Sequence, residues 1–243
     1  MKNFKKLGVI GGMGPEATAL LLNRVIALTE AHDDQDHVPL VVDMNPQIPS
    51  RLAALWGDGG ISPVPALTEM TKNLEGMGAA ALAMPCNTAH YYAQDFMSTS
   101  TIPLLNMIKL SAKRISKLGK DTRRVGMLAS PATDKFNIFQ DVFDGYGLTC
   151  IFPENEADVL SLIRRIKSDG ISPELADGLS VFVKELESRG AQCLLVGCSE
   201  FSLLTATLSS SLPIFDSVDL LAQAMVEFSG AKLKPAKDAL RFT

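Results

Sequence analysis

Three segments from the first half of the chain recur, in the same order, in the second half. LGVIGGMGP resembles RVGMLASPA, with Val9 and Val125 separated by 116 positions. GMGAAALAMPCN resembles SRGAQCLLVGCS, with Cys86 and Cys198 separated by 112, and TIPLLNM resembles SLPIFDS, with Pro103 and Pro213 separated by 110. Any one pair is open to chance, since glycine-containing strand ends look alike. Ordered matches at a slowly drifting offset are the trace of a duplicated unit whose loops have changed length.

Within each copy, short aliphatic runs alternate with longer segments of helical period, the pattern of βαβ units with a parallel sheet. The runs predict strands at Lys6–Ile10, Leu40–Met44, Ala79–Met84, Leu104–Asn106, Arg124–Leu128, Leu148–Phe152, Cys193–Val196 and Ile214–Phe215. Helices are predicted to begin near Pro15, Pro63, Thr88, Ile108, Phe136, Glu156, Pro173, Glu200 and Val218. The expected fold is α/β, with two pseudo-symmetric doubly wound domains, each on a parallel four-stranded sheet, and an active site in the interdomain cleft. The first domain takes residues 1–105 plus the C-terminal stretch 213–243, and the second takes 106–212. A chain of 243 residues suffices for two such cores.

Composition removes several classes of function. With 23 basic and 27 acidic residues the net charge is 23 − 27 = −4, and no basic cluster is denser than Lys2, Lys5 and Lys6. A nucleic-acid partner is therefore not expected. The longest apolar runs, such as Ala79–Met84, fall far short of the ~20 residues of a membrane span. No signal-peptide core follows the N-terminal lysines, so the expected location is cytoplasmic. Four cysteines without a CxxC are too few for a disulfide scaffold and predict free thiols.

Two of those thiols stand out. Cys86 and Cys198 each follow the third apolar strand of their copy and precede a helix, in MPCNTAHYYAQDF and VGCSEFSLLTATL. Ligands of open α/β sheets bind beyond the carboxyl ends of the strands. A sulfur at a helix start also meets backbone N–H groups, which draw a thiol pKa down from ~8.5. Two such thiols on opposite walls of one cleft suit the removal of a proton from one face of a carbon and its return to the other. Cys150 and Cys193 read as small core hydrophobes.

A competing signal is the first loop, GGMGPEA, where Gly12, Gly14 and Ala17 fit a G-x-G-x-x-A dinucleotide fingerprint, with Asp43 ending the next strand. Pro15 falls inside that fingerprint, Asp43 lies a loose 26 positions from Ala17, and the matching loop ASPATD has no glycine. A tight turn whose amides hold a carboxylate is the simpler reading. Three histidines, two of them in the polar stretch AHDDQDH, lack zinc-ligand spacing, so no metal site is expected. No serine-hydrolase or pyridoxal signature is present.

Taken together, GGMGP (Gly11–Pro15), NPQIPSR (Asn45–Arg51), PCNTAH (Pro85–His90) and GCSE (Gly197–Glu200) resemble the cofactor-independent aspartate/glutamate racemase family, and most nearly its aspartate racemase branch. The resemblance covers nearly the whole chain. It implies that Cys86 and Cys198 are the two acid/base groups, that an acidic amino acid is the substrate, that no cofactor is needed, and that the protein is a homodimer. The family usually has threonine after the second cysteine, where this chain has Ser199: the hydroxyl is kept and the methyl lost.

Asn87, Thr88 and Ser199 are suited to the polar groups of an amino acid. The resemblance points to Arg51 and Lys167 as cations for a side-chain carboxylate, with Arg164 or Arg165 as alternatives to Lys167. Met13, Gln47 and Thr133 are expected to line the pocket. His90 and Glu200 are expected to support the cysteines, Glu200 by orienting Cys198 or capping its helix, and Asp43 to assist near the first loop. Other readings stay open: a glutamate or broad-specificity racemase, a maleate isomerase or decarboxylase of the same superfamily, a nucleotide-dependent oxidoreductase, and an amino-acid-binding module without activity.

Overall fold

The computed structural model describes residues 3–57, 59–119 and 121–235. The outermost parts of the expected first domain, residues 1–2 and 236–243, lie outside the described residues. The first half contributes β1 (Leu7–Gly11), β2 (Leu40–Met44), β3 (Ala81–Ala83) and β4 (Leu104–Leu105), in the sheet order β2-β1-β3-β4. The second contributes β5 (Arg124–Leu128), β6 (Thr149–Ile151), β7 (Cys193–Val196) and β8 (Ile214–Asp216), in the order β6-β5-β7-β8. Every strand pair is parallel, as expected of two doubly wound α/β sheets.

The helices are α1 (Pro15–Leu28), α2 (Arg51–Trp56), α3 (Val64–Gly76), α4 (Ala93–Phe96), α5 (Met107–Ile115), α6 (Pro131–Lys135), α7 (Gln140–Phe143), α8 (Glu156–Asp169), α9 (Pro173–Ser188), α10 (Ser199–Ser202) and α11 (Ser217–Ser229). Central strands β1, β3 and β7 are buried throughout, while the edge strands β2 and β6 are partly exposed. A parallel sheet covered on both faces demands such unbroken apolar runs as LGVIG and CLLV. One buried cluster joins Ile10, Leu67, Leu74, Leu82 and Phe96, and another joins Leu162, Leu179, Leu186, Leu194 and Phe201. By contact, the described residues fall into two compact units, one running up to Asn106 and resuming at Leu221, the other Met107–Leu220.

The repeat persists in atomic detail. A methyl placed on Gly8 would lie 2.8 Å from Leu82 Cδ2 and 3.1 Å from the Cβ atoms of Ala79 and Leu74. On Gly126 it would lie 2.7 Å from Leu194 Cδ2, 3.0 Å from Ala191 Cβ and 3.1 Å from Leu186 Cβ. Each partner in the second set stands 112 positions after its counterpart in the first. Only glycine lets α3 and α9 approach their sheets so closely. Glu75 likewise receives Ser100 and Thr101, and Glu187 receives Ser210 and Ser211.

This equivalence corrects the strand alignment read from the sequence. Leu7 lies opposite Ala81 and Val125 opposite Cys193, so Leu7 matches Val125 and Gly8 matches Gly126, 118 positions apart. The 116 spacing follows the prolines Pro15 and Pro131 instead, because the first loop has two more residues between strand and proline.

Two helices also differ from expectation. NPQIPSR leads directly into α2, whose start is capped by Ser50 Oγ accepting the Ala53 N–H at 3.2 Å and whose end is Gly57 at φ 76°. The helix expected near Phe136 begins earlier, at Pro131, a residue suited to the first turn because it has no N–H to satisfy. It stops before Asn137, which adopts φ 51°.

Candidate active site

In both sheets the strand order reverses between a first strand and a third, β1 and β3 or β5 and β7. The crevice at the carboxyl ends of such a pair is where open α/β sheets bind ligands. In the first unit Cys86 follows β3 at this point, 6% exposed, with Asn87 buried beside it and Thr88 half-buried at the start of a 3₁₀ turn, Thr88–Tyr92. Met13, from the loop after β1, and Ile48, from the loop after β2, join Cys86, Ala89 and Tyr92 in one buried cluster.

The Tyr92 hydroxyl donates to the Arg51 carbonyl at 3.1 Å, tying the turn after Cys86 to the start of α2. Burial first, then Tyr91, raises the Tyr92 phenol pKa, while the nearby charge of Arg51 pulls it down. The Arg51 guanidinium bends back over the Ile48 and Pro49 carbonyls, at 3.4 and 3.3 Å. Gln47 stands exposed in the same loop, its N–H on Asn45 Oδ1 at 2.9 Å. Asp43, half-buried near the end of β2, places its carbonyl 3.4 Å from where a methyl on Gly11 would sit.

The glycine loop does not fit a pyrophosphate. The Gly12 N–H is taken by Thr18 Oγ1 at 3.0 Å, and Thr18 in turn donates to the Gly14 carbonyl at 3.1 Å. Pro15 brings no N–H to the first turn of α1. Gly12, at φ 96°, is packed so that a methyl on it would lie 2.4 Å from the Asn45 carbonyl carbon and oxygen. Its glycine character serves the close packing of two loops, which removes the reason for the dinucleotide reading.

His90 reaches back to the Cys86 carbonyl with Nδ1 at 2.9 Å. A carbonyl only accepts, so Nδ1 carries the hydrogen. Burial moves the His90 pKa down to about 4, with the Cys86 bond opposing, and the ring is neutral near pH 7. The unfolded chain binds this proton below about 6.5 and the folded chain only below about 4, so folding stability falls as pH drops through that window. The expected loss is about 3 kcal/mol by pH 4. Urea midpoints measured from pH 7 to 4 check it: His90→Gln should show a shallower decline, and parallel declines in the two proteins would contradict it.

In the second unit Cys198 caps the start of α10, 5% exposed, with Ser199 buried next to it. Its approach is set by Gly197, whose N–H donates to the Leu128 carbonyl at 2.9 Å and whose missing Cβ leaves room for Phe139 Cζ, 2.9 Å from where a methyl would sit. The backbone N–H groups of Glu200 and Phe201 do point at the sulfur, as expected of a helix start. They do not prevail. Burial first, then the Glu200 charge and hydrogen bond, drive the Cys198 thiol well above its ordinary value, contrary to the expected lowering.

Glu200 is the hub of this side. Its Oε2 accepts the Cys198 S–H at 3.0 Å and its Oε1 lies 3.0 Å from Lys167 Nζ. Of the three cations considered on α8, it is Lys167 that reaches Glu200, while Arg165 turns to Asp169 and Glu174. Thr133 is buried and its hydroxyl donates to the Ser130 carbonyl at 2.6 Å, so its proton is committed within the loop. The hydroxyl left over there is that of Ser130, buried and without a hydrogen-bond partner among the described residues. Sequence reasoning passed over it, although a serine directly before a helix-starting proline, where the first copy has Gly14 before Pro15, was a usable signal.

A profile of the family described as Asp/Glu/hydantoin racemase matches residues 10–225. The chain belongs to this family. An aspartate racemase structure from Picrophilus torridus is 30% identical, with a TM-score of 0.86 over 97% of this chain and 98% of that one. The broad-specificity amino-acid racemase RacX of Bacillus subtilis is 25% identical over 228 residues, 90% of this chain and 96% of that protein. An aspartate racemase homologue from Pyrococcus horikoshii, 23% identical with a TM-score of 0.73 over 93% of this chain and 99% of that one, shares the fold.

Racemases are isomerases, and this racemase-family chain is one of them. Its remaining cysteines differ from the matched pair. Cys193, fully buried in β7, is pushed up to about 11 by burial. Cys150 is only half-buried on edge strand β6, less enclosed than a core residue, and is pushed up to about 12 by burial and then by Asp134 and Asp144. Among the described residues, no helix is long and apolar enough to cross a membrane.

Proposed function

We propose that this protein racemises an acidic amino acid, aspartate foremost, by moving the α-proton between Cys86 and Cys198. The observation that carries the reading is the matched placement of the two cysteines, 112 positions apart, each following the strand at the reversal point of its own sheet. A thiolate takes the α-proton from one face of the α-carbon and a thiol returns a proton to the other. The charge of the carbanion passes into the α-carboxylate, so donors around that carboxylate lower the barrier. Asn87, Thr88, Ser199 and the orphan hydroxyl of Ser130 fill that role, with Met13 and Thr133 as walls.

Arg51 and Lys167 answer the side-chain carboxylate, and Gln47 lies on the same loop as Arg51. An ammonium has three N–H groups, so Lys167 can serve Glu200 and a substrate together. His90 and Glu200 hold the two cysteines from behind. In this reading the protein works as a cytoplasmic homodimer and no cofactor enters any step. A broad-specificity racemase is the second reading, favoured by the likeness to RacX along 90% of the chain and by the smaller Ser199.

Incubation of the purified protein with L-aspartate in heavy water, without added cofactor, tests the proposal. D-aspartate bearing deuterium at the α-carbon is expected. A panel of other amino acids separates the two readings, and no exchange with any of them would exclude both.

A further inference from the structure

Arg51 carries the charge assigned above to the side-chain carboxylate of the substrate, and it stands on a lightly anchored helix. No residue of α2 (Arg51–Trp56) is buried. Ala54 and Leu55 are only partly buried against the cluster that holds Cys86. Ser50 Oγ caps the helix at 3.2 Å, and Gly60 passes so close that a methyl on it would lie 2.5 Å from the Ala53 carbonyl carbon. Arg51 is the first residue of α2, so whatever fixes its backbone also sets where its guanidinium starts from.

Tyr92 supplies a fixed point from the interior. It is 7% exposed and packs in one cluster with Met13, Ile48, Cys86 and Ala89. A buried phenol needs a hydrogen-bond partner, and this one reaches across 41 positions of sequence to donate to the Arg51 carbonyl at 3.1 Å. The guanidinium is near enough for its charge to act on the same phenol. It meets the Ile48 and Pro49 carbonyls through Nη1, at 3.4 and 3.3 Å, which leaves Nε and Nη2 for a bidentate grip on a carboxylate. The main chain of Arg51 is thus tied to the turn after Cys86, and its guanidinium to the loop whose Ile48 packs in the Cys86 cluster.

We propose that Tyr92 is a positioning residue for substrate selection, whose hydroxyl fixes the Arg51 backbone relative to Cys86 so that the guanidinium favours amino acids with a side-chain carboxylate. The inference rests on the reading of Arg51 under the proposed function and deepens it. The side-chain carboxylate keeps its charge while the α-proton moves, so its hold is the same in the ground state and the transition state. Loosening that hold raises KM and leaves kcat in place. The phenol touches neither the reacting carbon nor its proton in this role; it acts through Arg51.

The test follows racemisation of L-aspartate by chiral chromatography in the full-length wild type, Tyr92→Phe, Arg51→Met and the double variant. Tyr92→Phe keeps the ring in its cluster and removes the hydroxyl alone. It should raise KM about fivefold, the scale of one lost hydrogen bond, with kcat within about twofold. In the Arg51→Met background the same change should leave KM where it is, because the two residues act as one unit. Inhibition of the wild type and Tyr92→Phe gives a second measurement that needs no Arg51 variant. Succinate, with two carboxylates, should bind Tyr92→Phe about fivefold more weakly, and butyrate, with one, should bind both proteins alike. An unchanged KM, a rise in KM that persists without Arg51, or an equal change for both inhibitors overturns the proposal. A loss confined to kcat overturns it as well, since Tyr92 would then act on the turn of Cys86. A wild type that racemises no amino acid removes the racemase reading along with this one, whereas an active wild type with any of those results removes this one alone.

Discussion

Cys86→Ser and Cys198→Ser each lower aspartate racemisation by about 10³-fold or more, because a serine hydroxyl ionises too weakly to act as base and each proton transfer by a positioned group contributes roughly 10² to 10⁴. The two losses are similar in kcat/KM. Enantiomers have equal free energy, so kcat/KM must match in both directions, and removing either partner breaks the same path. What separates the variants is the exchange that survives. With Cys86 alone, a proton is removed and replaced on one face, so deuterium enters only one enantiomer without inversion; with Cys198 alone it enters the other. Chiral chromatography with mass detection reads both quantities. Full racemisation by either variant would mean that one cysteine is ornamental, and exchange of both enantiomers by a single-cysteine variant would point to a different base.

The duplication explains why so much of this fold was legible in the sequence. Strands β2, β5 and β7 fall on the expected residues because their apolar runs are bounded by clear turn residues. The families of contact behind Gly8 and Gly126 needed coordinates, since nothing in the sequence says that the strand equivalence is 118 while the proline spacing is 116. Helix α2 was hidden by two prolines in NPQIPSR, although Ser50 ahead of RLAALW is a sound start signal.

The candidate site was legible as a set of residues and not in the contacts those residues make. Spacing marked the cysteines and their polar neighbours, but a helix start alone suggests a lowered thiol pKa, whereas at Cys198 burial and Glu200 outweigh two backbone amides. That balance depends on solvent exclusion and on one rotamer, and neither is written in a motif. The pairing of Lys167 with Glu200 has the same character: thirty-three positions separate them in sequence, and only the packing of α10 on α8 brings the charges within 3.0 Å.

Gly12→Ala should be the most damaging single methyl in the first unit. Its φ of 96° lies where a side chain costs about 1–2 kcal/mol, and the new Cβ would fall 2.4 Å from the Asn45 carbonyl carbon and oxygen and 2.8 Å from its nitrogen. These neighbours are backbone, so no rotamer change relieves them. Moving the loop instead would disturb the Asn45 N–H bond to the Gly11 carbonyl, 3.3 Å, and the Gly12 N–H bond to Thr18, 3.0 Å. Overpacking adds about 1–3 kcal/mol, giving a total near 3 kcal/mol and a fall of roughly 10 °C in thermal midpoint. Gly76→Ala is the control: nothing lies within 4 Å of its missing Cβ at the end of α3, and alanine there should stabilise by about 0.5–1 kcal/mol. Racemisation should fall with Gly12→Ala, because Met13 and Ile48 pack in one cluster with Cys86 and displacing either loop moves the wall beside the sulfur. A Gly12→Ala protein of unchanged midpoint and activity would show that the two loops are not held in this contact.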